Sequence, residues 1–312
     1  MTNTAKNKLR NIKLLGIPAC LGAPLAGCAR GPAVIRALLK SEPSPINFED
    51  LGDLTTLKKC KSKKCITEIA QIHKTAIEKI KKLSPFKKTK TSPNPLPVLI
   101  GGDHSMNFSL IREAANQTKK SHKSELGLIW FDAHGDFNIP ETTITGNIHG
   151  MILSALAGRG IFKKLTDSKS GNKPIIKEEN ICIFGVRDLD PKEEELLKST
   201  KINVITAKYI KKVGVKRALE QATSKLPKYL HLSFDLDVFD PRTAPGTNTP
   251  SIKGFSNKHL DQILEFFQKP KTKTKPTVIT SLDIMEFNPN RDKNNKTAEL
   301  AVNILKNLCQ IV

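Results

Sequence analysis

Within Trp130-Phe131-Asp132-Ala133-His134-Gly135-Asp136-Phe137-Asn138, two aspartates and a histidine take alternate positions just after an apolar run. Side chains two residues apart on an extended chain point the same way, so Asp132, His134 and Asp136 are expected to converge on one point. A second apolar run ends in Asp235-Leu236-Asp237, and a third is followed by Gly101-Gly102-Asp103-His104-Ser105. His104, Asp132, His134, Asp136, Asp235 and Asp237 together supply four carboxylates and two imidazoles, the ligand stock of a binuclear metal site. Oxygen-rich ligation favours hard divalent cations, and the two nitrogens shift the choice from magnesium toward manganese. Two such ions balance four aspartates and can share one hydroxide, a nucleophile at neutral pH. Spacing alone does not say which aspartates bridge the ions.

The elements that must position these residues read as βα units. Apolar runs recur at residues 12–17, 98–100, 126–131, 181–186, 202–205, 230–234 and 278–282, mostly separated by enough chain for a helix. Several are apolar on both faces, as strands of a parallel sheet covered by helices are. Ile69, Ile72, Ala76, Ile80 and Leu83 fall at helical spacing, and Leu260, Leu264 and Phe267 repeat the pattern. His104, Asp132, Asp188, Asp235 and Glu286 all follow an apolar run, which places them at the carboxyl ends of strands, where open α/β sheets bind ligands. Residues 84–97 are rich in proline and lysine and read as a surface loop, with a similar polar break at 269–276. Neither divides the chain into compositionally distinct halves, so residues 1–312 read as one domain without internal repeats.

The chain has 312 residues, 38% of them hydrophobic, enough for a sizeable core. No stretch approaches the roughly 18 apolar residues of a membrane span, and the first residues lack the apolar core of a secretory signal. A cytoplasmic location is the expectation, with no membrane partner. The net charge of +21 invites a nucleic-acid reading. Its lysines, however, crowd into 58–64, 79–90 and 269–275 with few aromatics to stack bases, so solvated faces are expected and no nucleic-acid partner. Cys20, Cys28, Cys60, Cys65, Cys182 and Cys309 show no Cys-x-x-Cys pair, and reduced thiols are the expectation. Cys182 lies inside a strand-like run and reads as a small buried hydrophobe. His231 reads as a packed, satisfied histidine, and His73, His122 and His259, without motifs, as surface residues.

Gly101-Gly102-Asp103-His104-Ser105, Asp132-Ala133-His134-Gly135-Asp136 and Ser233-Phe234-Asp235-Leu236-Asp237 resemble the three metal signatures of the ureohydrolase superfamily, which includes arginase, agmatinase and formiminoglutamase. The similarity extends to Gly31-Pro32-Ala33-Val34-Ile35-Arg36 and to residues 281–289. It implies a three-layer α/β/α fold around a mainly parallel sheet, two Mn2+ per subunit, hydrolysis of a guanidino group to urea, and assembly as a homotrimer or homohexamer. Residues 136–151 resemble the arginase version of the pattern. That resemblance implies that Asn138, Thr143, Thr145 and Asn147 receive the α-carboxylate of L-arginine, Asp190 and Glu193 its α-ammonium, and that Thr249 lies beside the guanidino end. Position 145, most often serine in arginases, is threonine here and keeps the hydroxyl. The loop at 22–28 is more apolar than is usual in the family.

A planar guanidinium pairs well with one carboxylate, a role that suits Glu286. The family likeness makes Asp136 the proton donor to the leaving nitrogen. His149 would shuttle protons to bulk water, as suits a side chain titrating near neutrality. The nearest alternative is agmatinase or another guanidino-acid ureohydrolase. An acyl-amine deacetylase of the related fold with one zinc, and a metal-holding protein without turnover, rank lower.

Overall fold

The computed structural model describes residues 10–41, 48–55, 65–90, 95–166, 173–268 and 276–308. In chain order the elements are β1 (Asn11–Ile17), α1 (Gly31–Ser41), β2 (Phe48–Asp53), α2 (Ile66–Leu83), β3 (Pro95–Gly101), α3 (Phe108–His122), β4 (Leu126–Phe131), α4 (Ile152–Leu156), α5 (Phe162–Thr166), β5 (Ile181–Val186), α6 (Pro191–Lys198), β6 (Asn203–Thr206), α7 (Ala207–Val213), α8 (Val215–Lys225), β7 (Tyr229–Asp235), α9 (Asn257–Gln268), β8 (Val278–Met285) and α10 (Lys296–Leu308). The strands form one sheet in the order β2-β1-β3-β8-β7-β4-β5-β6, and every pairing is parallel.

Parallel strands buried on both faces need apolar side chains at every position. β4 shows the consequence: Leu128 and Trp130 pack toward α2–α6, while Ile129 and Phe131 pack toward α1 and α7–α10. The two cores lie on opposite faces of the sheet and make the three-layer α/β/α sandwich that the βα alternation predicts. Among the described residues no helix is long and apolar enough to cross a membrane.

Three expectations need correction. The edge strand β2, Phe48-Glu49-Asp50-Leu51-Gly52-Asp53, has no apolar run to announce it, because it pairs with β1 alone and none of its residues is buried. β3 begins at Pro95, inside the stretch read as a loop. Residues 95–97 pair only with β1, since the pairing with β8 starts at Val98, and a proline is tolerated where one flank needs no N–H. His73, expected on the surface, is wholly buried in α2 with its ring 5.2 Å from that of Phe108.

The cysteines also depart from the reduced expectation. Cys20 and Cys28 form a disulfide that closes the loop between β1 and α1, and Cys65 is disulfide-bonded as well. Cys60 and Cys309, and the lysine runs 58–64 and 269–275, lie outside the described residues. Cys182 is buried in β5, and burial pushes its thiol well above the ordinary range, as befits an inert core residue.

Candidate active site

The sheet order brings the ends of β3, β8, β7 and β4 side by side, and these four strands deliver His104, Glu286, Asp235 with Asp237, and Asp132 with His134 and Asp136. Close approach is built in at Gly102, where a Cβ would lie 1.6 Å from the Ala19 carbonyl oxygen.

The six ligand-type residues do not meet at one point. The chain bends after Asp132, and Asp136 adopts a left-handed φ of 48°. Two clusters result, each with donor atoms within 4.8 Å of one another: His104, Asp132, Asp136 and Asp235 in one, and Asp132, His134 and Asp237 in the other. Asp132 belongs to both, which identifies the carboxylate that stands between two centres.

The protonation of His104 shows what these clusters are made to hold. Ser233 Oγ donates its one proton to Asp283 Oδ1, 2.7 Å away, and so accepts from His104 Nε2 at 2.8 Å. In the neutral ring Nδ1 then turns a lone pair toward Asp235 Oδ2 at 3.0 Å, Asp136 Oδ2 at 3.1 Å and Asp132 Oδ2 at 3.4 Å. Four acceptors turned toward one another call for positive charge between them, a second proton on the ring when no metal is present or a cation in its place. Asp136 Oδ2 is buried without a hydrogen-bond partner, which gives the same indication. His134 Nδ1 lies 3.1 Å from Asp237 Oδ2 and 3.4 Å from Asp132 Oδ1. The donor set therefore fits two divalent cations.

With the protein's own charges alone, burial pushes the His104 and His134 rings down, but the carboxylates around them reverse this and hold both well above the ordinary range. Burial works against the charge of Asp132 too, yet hydrogen bonds from both histidines keep it well below the carboxylate range. Asp235 is driven well up by burial and by the charges of Asp237 and Asp132, and Asp136 is raised to about 6 by burial and by Asp132. Carboxylates this crowded repel one another until positive charge is added.

A cavity of about 240 Å3 opens above the clusters, lined by His134, Asp136, Asn138, Thr143, Thr145, Asn147, His149, Gly150, Asp188, Asp190, Glu193, Asp235 and Thr249. Every residue expected to contact substrate lines it except Glu286. Asp190 and Glu193 come from the start of α6, where Pro191 at the first helical position fixes the entry. Three residues apart, they face the same way. Burial raises the Glu193 carboxyl to about 8 despite the Phe137 N–H donated to its Oε1 at 2.8 Å. Thr143 and Thr145 hydroxyls accept from the backbone N–H groups of Gly146 at 3.0 Å and Asn147 at 3.2 Å, which leaves their O–H groups to donate. Thr249 Oγ1 donates to Asp237 Oδ2 at 2.9 Å.

Glu286 stands behind His149 rather than on the cavity wall. It is fully buried at a left-handed φ of 64°, and its Oε1 accepts from the His104 backbone N–H at 2.8 Å and lies 2.9 Å from His149 Nδ1. Burial pushes the His149 ring down, but the charge of Glu286 and its hydrogen bond, with Asp136 and Asp103 behind them, raise it to about 9.

Sequence reasoning missed the supports beneath the ligands. Asn107 Nδ2 donates to Ser233 Oγ at 3.1 Å, and His231 bonds Ser281 and Asp283 at 2.7 Å each, which satisfies both of its nitrogens as expected. His231, Ser233 and Asp235 alternate along β7, so a polar stripe inside an apolar strand was the available signal. Arg187, just beyond β5, donates to the carbonyls of Asp237 at 2.7 Å, Ser251 at 2.9 Å and Ile252 at 3.0 Å, bracing the second cluster. No local pattern marks it.

The sequence pattern of the arginase family matches residues 10–310. An arginase of Brevibacillus brevis is 35% identical over 310 residues, covering 96% of this chain and 97% of its own. The crystal structure of an arginase from Bacillus cereus superposes with a TM-score of 0.79 at 30% identity, covering 96% of this chain and 98% of that one. An Entamoeba histolytica arginase in complex with L-ornithine gives a TM-score of 0.76 at 26% identity, covering 97% and 99%. A match along nearly the whole length, in sequence and in fold, shows that the chain is a ureohydrolase belonging to the arginase family.

Proposed function

We propose that the protein hydrolyses L-arginine to L-ornithine and urea with two manganese ions per subunit. The observation that carries this reading is the polarity of the cavity wall. Hydroxyl and amide groups of Thr143, Thr145, Asn138 and Asn147 line it together with the carboxylates of Asp190 and Glu193, above the clustered aspartates. An α-amino acid needs both sets, one for its carboxylate and one for its ammonium, and a decarboxylated amine has no use for the first. The ornithine complex of the Entamoeba arginase supports the same choice.

His104, Asp136 and Asp235 would hold one ion, His134 and Asp237 the other, and Asp132 both. When bound, the pair supplies a water activated for attack on the guanidinium carbon. The chain's own groups orient the substrate so that this carbon lies over the clusters, beside Thr249. Asp136 passes the proton released by the attacking water to the departing δ-nitrogen. His149, on the cavity wall and backed by Glu286, passes protons between site and solvent, and Glu286 provides the buried negative charge for the guanidinium end. A trimeric or hexameric assembly and a cytoplasmic location belong to the same reading.

The test is urea release by the manganese-loaded protein from L-arginine and agmatine side by side. A strong preference for arginine is the expected result. Equal or better use of agmatine keeps the metal chemistry but refutes the assignment of Asn138 and Thr145 to a substrate carboxylate.

A further inference from the structure

Oε2 of Glu286 is held by a line of side-chain amides whose orientations are forced. Asn288 Nδ2 donates to the Ala26 carbonyl at 3.1 Å, and Asn288 Oδ1 accepts the Asn290 backbone N–H at 3.1 Å. A carbonyl can only accept and an N–H can only donate, so the Asn288 amide has one possible orientation. Its other N–H then points at Asn248 Oδ1, 2.6 Å away. That fixes the second amide in turn, and Asn248 Nδ2 is left aimed at Glu286 Oε2, 2.9 Å away. Asn248 and Asn288 are both buried, so no water competes for these bonds.

The line starts on the loop closed by Cys20–Cys28. Gly27 on that loop has a φ of 126°, and a Cβ there would fall 2.2 Å from Asn288 Oδ1, so a glycine is what lets Asn288 approach. The same loop reaches the other member of the His149–Glu286 pair, since the Gly22 carbonyl accepts the His149 backbone N–H at 3.3 Å and Asp103 Oδ2 accepts the Gly22 N–H at 2.9 Å. One cross-linked loop thus anchors both partners.

We propose that Asn248 and Asn288 are positioning residues for Glu286, which transmit the placement of the Cys20–Cys28 loop to its carboxylate through two oriented amides. The inference rests on the role given to Glu286 in the proposed reaction. Asn248→Asp keeps the shape of the side chain and turns its donor into an acceptor facing Glu286. It is expected to lower kcat/KM for L-arginine by between about 10- and 100-fold, the value of one hydrogen bond to a buried charge. Asn288→Ala, which does not touch Glu286, is expected to lower the same parameter. Combined with Asn248→Asp it should add little, because both cut one line. Full activity in Asn248→Asp, or losses that simply multiply in the double variant, overturns the proposal.

A crystal structure of Asn288→Ala reads the positioning whatever the substrate. Glu286 Oε2 is expected to leave hydrogen-bond distance of Asn248 Nδ2, and an unmoved carboxylate refutes the inference. A wild-type protein that releases no urea from any guanidino compound overturns the proposed reaction instead, and the crystallographic result still decides the positioning.

Discussion

Trp130 lies flat against His104, with ring centroids 3.9 Å apart and planes 9° from parallel, and its Nε1–H donates to Asp132 Oδ2 at 2.9 Å. One indole therefore fixes the plane of a ligand histidine and one oxygen of the shared aspartate. Groups that orient metal ligands typically carry about 10- to 100-fold of metal affinity. Trp130→Phe keeps the stacking and removes the hydrogen bond. It should fold and bind manganese about 10-fold more weakly, as read by titration calorimetry. Unchanged affinity would show that the backbone alone places Asp132, through the N–H of His134 that donates to its Oδ1 at 2.7 Å.

Asp132 is the residue common to the two clusters, whereas His134 belongs to one. Metal content should follow that division. His134→Asn is expected to retain about one manganese per chain and Asp132→Asn to retain little of either, since the second variant weakens both centres. Elemental analysis after dialysis measures this directly. Equal loss in the two variants would mean that the centres load only as a pair, and the assignment of separate ligand sets would fall.

Glu193 combines burial with a place on the cavity wall, and its carboxyl is raised to about 8. Below that pH the group is neutral and pairs weakly with an α-ammonium. Above it the carboxylate is charged and binding strengthens. For L-arginine kcat/KM should therefore rise as pH passes through 8, and this limb should vanish in Glu193→Gln. The variant should also raise KM for arginine by roughly 10-fold or more, and raise it for agmatine as well, since agmatine keeps the ammonium that Glu193 faces. A pH profile identical in the two proteins would assign the limb to another group, with His149 the first to examine.

Seven of the eight strands were legible as apolar runs, the inner ones because a strand buried on both faces must be apolar, and the runs at 126–131 and 181–186 coincide with β4 and β5. The polar edge strand β2 obeys no such constraint and gave no signal. All six ligand-type residues were legible by type and by their place after apolar runs. Their division into two clusters was not, because it depends on the bend after Asp132 and on β8 and β7 lying between β3 and β4, neither of which spacing encodes. The same holds for Arg187, Asn248 and Asn288. Each acts on chain segments brought close only by the finished fold, about 40 residues away for Asn248 to Glu286 and more than 250 for Asn288 to Ala26.

His73 offers a test of the core away from the metal ligands. Burial, only partly offset by the Ser105 backbone and reinforced by the charge of Arg112, lowers its ring from an ordinary 6.5 to about 4. The native state thus holds His73 neutral at pH values where the unfolded chain has already bound a proton. The sign is that of a depressed base: the contribution to stability is complete above pH 6.5 and is lost as pH falls toward 4. The loss should reach about 2 kcal/mol by pH 5. His73→Leu, set against Phe108 in the same apolar environment, cannot bind the proton and should escape this part of the acid sensitivity. Denaturant midpoints for both proteins at pH 7.5 and pH 5 measure the difference. Parallel losses would show that the ring finds a partner when charged, and that the acid limb belongs to the carboxylates instead.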